Sequence, residues 1–224
     1  MNQEAYFIEK KINGINNFNI FGILDGNEEN KKFQFIKGYI IDQIKNNPLI
    51  KSEKDPMKLF WILKGNNYKI LNDLFSEIDI QIQRRALDNS NSITKFIILI
   101  QIYDHIISVN IGDSKAIIVC DNNGNNLDKS KVYQLSYNNK LIDGKKINPK
   151  IIDNTIDKSC KYFIMGSSGL WKFINNDECM KASNQYYLKN DSLGMCKELY
   201  RIISNSKNIN DNIVDDISII VGFF

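Results

Sequence analysis

The sequence is short of the residues that most often announce a metal or redox centre. Histidine occurs once, at His105, and the four cysteines, Cys120, Cys160, Cys179 and Cys196, are scattered with no C-x-x-C pair and no histidine beside them. That spacing suggests neither a zinc site nor a disulfide framework, and a reducing compartment fits it best. Proline occurs three times, with no Pro-rich linker and no internal repeat, so one domain over residues 1–224 is expected. Charge of one sign is missing as well. The 29 Lys and Arg face 26 Asp and Glu, and the net +3 has no basic or acidic tail, which excludes a strong field for nucleic acid or membrane. No run of about 18 apolar residues occurs. The segment MNQEAYFIEKKING lacks a basic stretch followed by an apolar one, so a cytoplasmic location without a membrane anchor is the expectation.

What the sequence does have is core material: 43% of residues are hydrophobic, ample for one packed domain of this length. Phe18 to Leu24 is an apolar run ending in Asp25-Gly26-Asn27, which reads as a strand entering a turn. Phe33, Ile36, Ile40, Ile41 and Ile44 recur at helical spacing between Asn30 and Asn46, where Asn-Asn-Pro stops the pattern. A second helical stretch runs from Pro56 to about Leu87, with a polar break at Gly65-Asn66-Asn67. Phe96 to Ile102, Ile106 to Ile111 and Ala116 to Cys120 read as three strands of a meander, with His105 at an exposed hairpin turn. Tyr162 to Met165 and Ile217 to Phe224 read as strands, and Leu193 to Ser204 as a helix. Trp61 and Trp171 sit among apolar neighbours and are expected in the core.

Four short stretches in this order resemble those of the PPM-type (type 2C) serine/threonine protein phosphatases. Ile20 to Asn27 is similar to that family's apolar strand ending in Asp-Gly-His. Ile111-Gly112-Asp113-Ser114-Lys115-Ala116 resembles its Val-Gly-Asp-Ser-Arg-Ala turn, followed by Gln134-Leu135-Ser136 for Gln-Leu-Thr. Ser167-Ser168-Gly169-Leu170-Trp171-Lys172 resembles Ser-Asp-Gly-Leu-Trp-Asp, and Asp215-Asp216-Ile217-Ser218 resembles Asp-Asn-Ile-Thr. The resemblance spans the chain and implies an α+β fold: two stacked β-sheets with a pair of helices on each outer side. The family's substrate-side flap is shortened here to the segment between Tyr137 and Gly166.

The resemblance also implies a chemistry, in which a pair of Mg²⁺ or Mn²⁺ ions held by carboxylates activates water against a phosphoester. Asp25 and Gly26 match the bridging aspartate and its glycine, Asp215 the terminal ligand, Asp113 the aspartate of a weaker third metal, and Glu4 an acidic position near the metals. Other positions depart from the pattern. Ser168 stands where the family has a metal-binding aspartate, Lys172 where it has another, Asn27 where it has the histidine general acid, and Asp216 where it has asparagine. A hydroxyl does not replace a carboxylate between divalent cations, an ammonium repels a metal, and an asparagine has no proton to give. From these departures the expectation is a catalytically inactive phosphatase homologue, with no cofactor. It would serve as a scaffolding or structural subunit that binds proteins, phosphoproteins among them, within a cytoplasmic, cytoskeletal or ciliary assembly. The alternative is a weak Mg- or Mn-dependent serine/threonine phosphatase with a reduced metal site.

Overall fold

The computed structural model describes residues 4–25, 30–85, 95–121, 130–137, 149–206 and 216–224, with Glu4 and Asp25 placed by their backbone. In chain order the strands and helices are β1 (Glu4–Glu9), β2 (Phe18–Asp25), α1 (Asn30–Asn46), α2 (Pro48–Ser52), α3 (Pro56–Arg84), β3 (Lys95–Ile102), β4 (His105–Ile111), β5 (Lys115–Cys120), β6 (Lys131–Gln134), β7 (Lys150–Thr155), β8 (Cys160–Gly166), α4 (Ser168–Trp171), α5 (Asn176–Leu188), α6 (Ser192–Ser206) and β9 (Ile219–Phe223). The strands form a five-stranded sheet in the order β1-β2-β3-β4-β7 and a four-stranded sheet in the order β6-β5-β8-β9. Every pairing is antiparallel.

Both faces of the central strands are covered, which is why they read as unbroken apolar runs instead of alternating ones. Along β3, Phe96, Ile98, Ile100 and Ile102 pack with α1 and α3 residues such as Ile36, Ile40, Leu71 and Phe75. Ile97 and Leu99 point the other way, into the layer between the sheets with Phe21, Ile23, Ile118, Phe163 and Met165. On the second sheet, Ile117, Val119, Tyr162 and Ile164 bury against Met180, Met195, Leu199 and Ile203 of α5 and α6. The result is the expected helix–sheet–sheet–helix sandwich. At Gly22 the chain has no side chain because the Phe7 ring from β1 lies across it: an added Cβ would meet the ring 2.2 Å away.

Local signals account for the helix starts. Asn47 caps α2 by accepting from the amides of Leu49 and Ile50, with Pro48 in the first turn. Asn175 and Glu178 close a reciprocal capping box on α5. The polar break in α3 is a kink in which Asn66, Asn67 and Tyr68 take positive φ.

Three sequence expectations are corrected. The strands expected as a meander divide between the sheets: β4 pairs with β3 and β7, whereas β5 pairs with β6 and β8. The switch occurs at Gly112, whose φ of +104° lets the chain turn from one layer to the other. His105 is not an exposed turn residue, since its side chain is only 13% accessible and stacks on Phe60 with ring centroids 3.8 Å apart. Trp61 is 58% exposed on the outer side of α3, because its neighbours Phe60 and Leu59 take the inward face. Trp171 does pack against the helix-side core of the second sheet.

Candidate active site

The strand register brings the acidic positions of the first sheet to one end of the sandwich. Glu4 on β1 pairs with Asp25 at the end of β2, and Asp25 pairs with Lys95 at the start of β3. In the next strand Phe96 pairs with Ile111, so the Gly112-Asp113 turn projects from the same end. The second sheet contributes its matching edge, where Lys115 of β5 pairs with Gly166 of β8 and Gly166 with Ile219 of β9. Ser167 then exchanges two hydrogen bonds with Ser218, its amide donating to the Ser218 carbonyl and its hydroxyl accepting from the Ser218 amide, each at 3.1 Å. That exchange fixes the Asp216-Ile217-Ser218 segment beside Ser167-Ser168. Gly26, Asn27 and Asp215 lie outside the described residues.

The turn around Asp113 is built from buried polar groups. Asn110 is fully buried and donates to the carbonyls of Gly112 and Tyr137, at 3.2 and 3.0 Å. Ser136 Oγ accepts from the Ala116 amide at 3.0 Å, and the Leu135 amide donates to the Ala116 carbonyl at 2.9 Å, which sets Gln134 against the start of β5. Among the described residues, buried polar atoms with no hydrogen-bond partner include Asn110 Oδ1, Asp113 Oδ1 and Ser114 Oγ, all within five residues of one another. Lys95 Nζ approaches Asp113 Oδ1 to 3.5 Å, an ion pair without a hydrogen bond, and its stem lies against Gly112.

Asp113, Ser168 and Lys172 come together, although 59 residues separate the first from the last. With Ser114, Lys115, Gln134 and Trp171 they line a pocket of about 280 Å³ at this end of the sandwich. Trp171 ties α4 down, its indole N–H shared between the carbonyls of Lys115 (2.9 Å) and Gly166 (3.0 Å). Lys115 Nζ lies 4.0 Å from the centroid of the Trp171 ring and donates to Asn176 Oδ1 at 2.7 Å. Burial lowers the pKa of this lysine, the nearby Cys179 opposing the shift. Lys95 and Lys115 were not singled out from the sequence. The register opposite Asp25 and the place after Asp113-Ser114 were the signals that could have found them.

The donor set around the Asp113 turn fits a divalent cation on one side: hard oxygens, one of them an unsatisfied buried carboxylate oxygen. Among the described residues no group of three or more His, Cys, Asp or Glu is placed to hold a metal, so a cation there would also need Asp25, Glu4, Gly26 or Asp215. The lysines of the same pocket suit a phosphoryl group.

No family model and no curated protein matches the sequence. Solved structures do match. The serine/threonine phosphatase 2C of Toxoplasma gondii superposes with a TM-score of 0.77 at 10% identity, over 100% of this chain and 90% of its own. The serine/threonine phosphatase Stp1 of Staphylococcus aureus gives 0.68 at 13% identity, over 99% and 88%, and a bacterial serine phosphatase gives 0.67 at 13%, over 100% and 92%. The chain therefore has the PPM-type (2C) phosphatase fold along its whole length. These matches correct the expectation that the chain is not an enzyme, because the structures that share its fold are phosphatases. That expectation rests on two missing metal ligands, at Ser168 and Lys172, and a missing general acid, at Asn27, and these departures leave Asp25, Asp113 and Asp215 in the chain. Among the described residues no helix is long and apolar enough to cross a membrane.

Proposed function

We propose that the chain is a weak Mg- or Mn-dependent serine/threonine protein phosphatase that works with a reduced metal site. The observation that carries this reading is the convergence at one end of a phosphatase-fold sandwich of Asp113, with its unsatisfied buried oxygen, and the lysines of the adjoining pocket. Asp25 and Asp113, with Glu4, Gly26 and Asp215, would hold the cation, which when bound supplies Lewis-acid activation of water and neutralises phosphoryl charge. Lys115 and Lys172 give the pocket two positive charges to orient a phosphate dianion beside Ser168 and Asp113. His105 stands at the opposite end of β4 and takes no part. Protonation of the leaving alkoxide falls to solvent or to Lys115, whose burial makes its ammonium more acidic than an ordinary lysine. Ser168 and Asn27, in place of a carboxylate and an imidazole, make the reaction slow. The partners of such an enzyme are phosphoproteins.

The test is release of inorganic phosphate from a phosphothreonine peptide with and without millimolar Mn²⁺. Metal-dependent turnover that disappears in Asp25→Ala is expected. Absence of turnover from a cooperatively melting protein at several millimolar metal would overturn the reading.

A further inference from the structure

At the end of the second sheet away from the candidate site, two thiols face each other. Cys120 closes β5 and Cys160 opens β8, and the two are backbone partners across the antiparallel ladder. Their sulfur atoms are 2.7 Å apart, inside the contact distance of unbonded sulfurs, and both residues are buried. Nothing in their spacing of 40 residues signals this contact.

A one-residue irregularity creates it. Along β5, Ala116, Ile118 and Cys120 face the layer between the sheets, while Ile117 and Val119 face the helices. Along β8, Phe163 and Met165 face the same inner layer, while Tyr162 and Ile164 face the helices. Strict alternation would send Cys160 to the helix side with Tyr162. Instead Val119 pairs with Tyr162 and Cys120 with Cys160, so Lys161 is the extra residue of a β-bulge. The bulge turns Cys160 back to the inner face, opposite Cys120. Directly opposed residues of an antiparallel pair have Cα atoms about 4.5–5.5 Å apart, inside the span of about 4.4–6.8 Å that a disulfide bridges.

We infer that Cys120 and Cys160 form a two-electron redox site, in which a peroxide-class oxidant converts the dithiol to a cross-strand disulfide. Cys160 reacts first, being the more accessible of the two, and its thiol faces Asp157 Oδ1 at 3.7 Å, the acceptor for its proton. Its thiolate attacks one peroxide oxygen, the O–O bond breaks, and the departing hydroxide takes up the proton that the Cys160 thiol released, leaving a sulfenic acid and one water. The Cys120 sulfur then attacks the Cys160 sulfur, the S–S bond forms, the S–O bond breaks, and a second water leaves with the Cys120 proton. Overall, two thiols and one hydrogen peroxide give one disulfide and two waters. Burial, and then the hydrogen bond with Cys160, raises the Cys120 pKa and keeps it a thiol, which leaves the first attack to Cys160. Cys179 is buried in the separate helix-side cluster and Cys196 lies on α6. The crosslink would join the two central strands of the sheet about 17 Å from the Lys115–Gly166 pair at the candidate site. It is independent of the phosphatase reading.

The experiment treats the reduced, native chain with hydrogen peroxide, blocks the remaining thiols, and maps peptides without reduction. Expected are a fall in free thiols from four to two, a mass lower by two hydrogens, a linked peptide pair containing Cys120 and Cys160, and full reversal by a dithiol reductant. Cys160→Ala should lose the linked pair, while the wild-type peptide map stands on its own if that variant does not fold. Retention of four thiols, or oxidation that accumulates on Cys196 or Cys179 instead, would overturn the inference.

Discussion

Two aspartates at the first sheet, Asp153 and Asp113, are held in opposite ways. Asp153 on β7 has both oxygens taken, Oδ1 by the Tyr68 hydroxyl and Oδ2 by Lys64 Nζ at 2.9 Å. Lys64 immediately precedes the kink of α3 and Tyr68 ends it, Asn66, Asn67 and Tyr68 all taking positive φ. Left-handed backbone at non-glycine residues costs on the order of 1 kcal/mol each, and the carboxylate offsets that cost by clamping the two sides of the kink to the sheet. Asp113 has a buried oxygen with no hydrogen bond and a lysine no closer than 3.5 Å. A saturated carboxylate stabilises the fold, whereas an unsaturated one is available to a ligand.

Removing the saturated carboxylate should have the largest effect. Asp153→Ala strands Lys64 and Tyr68 against a partly buried surface, and a loss of about 2–3 kcal/mol in urea unfolding is expected, with metal-dependent phosphate release unchanged in the folded protein. Tyr68→Phe keeps the Lys64 bond and should cost about 1 kcal/mol. The pair also fixes a pH window. For Asp153, burial alone would raise the pKa, but the hydrogen bonds from Tyr68 and Lys64 outweigh it and the net shift is downward. Its contribution is therefore present above the unfolded carboxylate pKa of about 3.9, and is lost as pH falls through the lower folded value. Tyr68 is shifted upward, by burial first and then by the Asp153 carboxylate. Its contribution is complete below the unfolded tyrosine pKa of about 10, and is lost as pH rises through the higher folded value. Thermal melting across pH should show both limbs in the wild type, and Tyr68→Phe should lack this alkaline one.

Long apolar runs and hard stops were legible in the sequence. The bounds of α1 follow from a helical period ended by Asn-Asn-Pro, and β2 and β3 from runs that are apolar because both faces are covered. Elements at the margins were not legible. Strand β7 is an edge strand reading KIIDNT, and α5 buries Ser183 and Asn184 along with Cys179 and Met180, so neither shows a clean period. Contacts between distant segments left no local trace. His105 looks like a turn residue until Phe60 is brought over it, and Cys120 and Cys160 look unrelated until a bulge turns one toward the other. The order of short stretches brought Asp113, Ser168 and Lys172 into view, but their sharing of one pocket depends on Gly112 carrying the chain between sheets.

The smallest effect on stability, and the sharpest on the comparison, is expected at Asp113. Its ion pair with Lys95 joins side chains that are 40% and 36% exposed, so either Lys95→Met or Asp113→Asn should change unfolding free energy by no more than about 0.5 kcal/mol. The two substitutions should nonetheless move metal binding in opposite directions. Lys95→Met removes an ammonium that repels a cation beside the unsatisfied Asp113 oxygen, and so should increase the rise in melting temperature produced by Mn²⁺. Asp113→Asn removes the anionic ligand and should reduce that rise. If Asp113 were a structural carboxylate like Asp153, Asp113→Asn would instead cost stability comparable to Asp153→Ala, and Mn²⁺ would shift the melting of wild type and both variants equally.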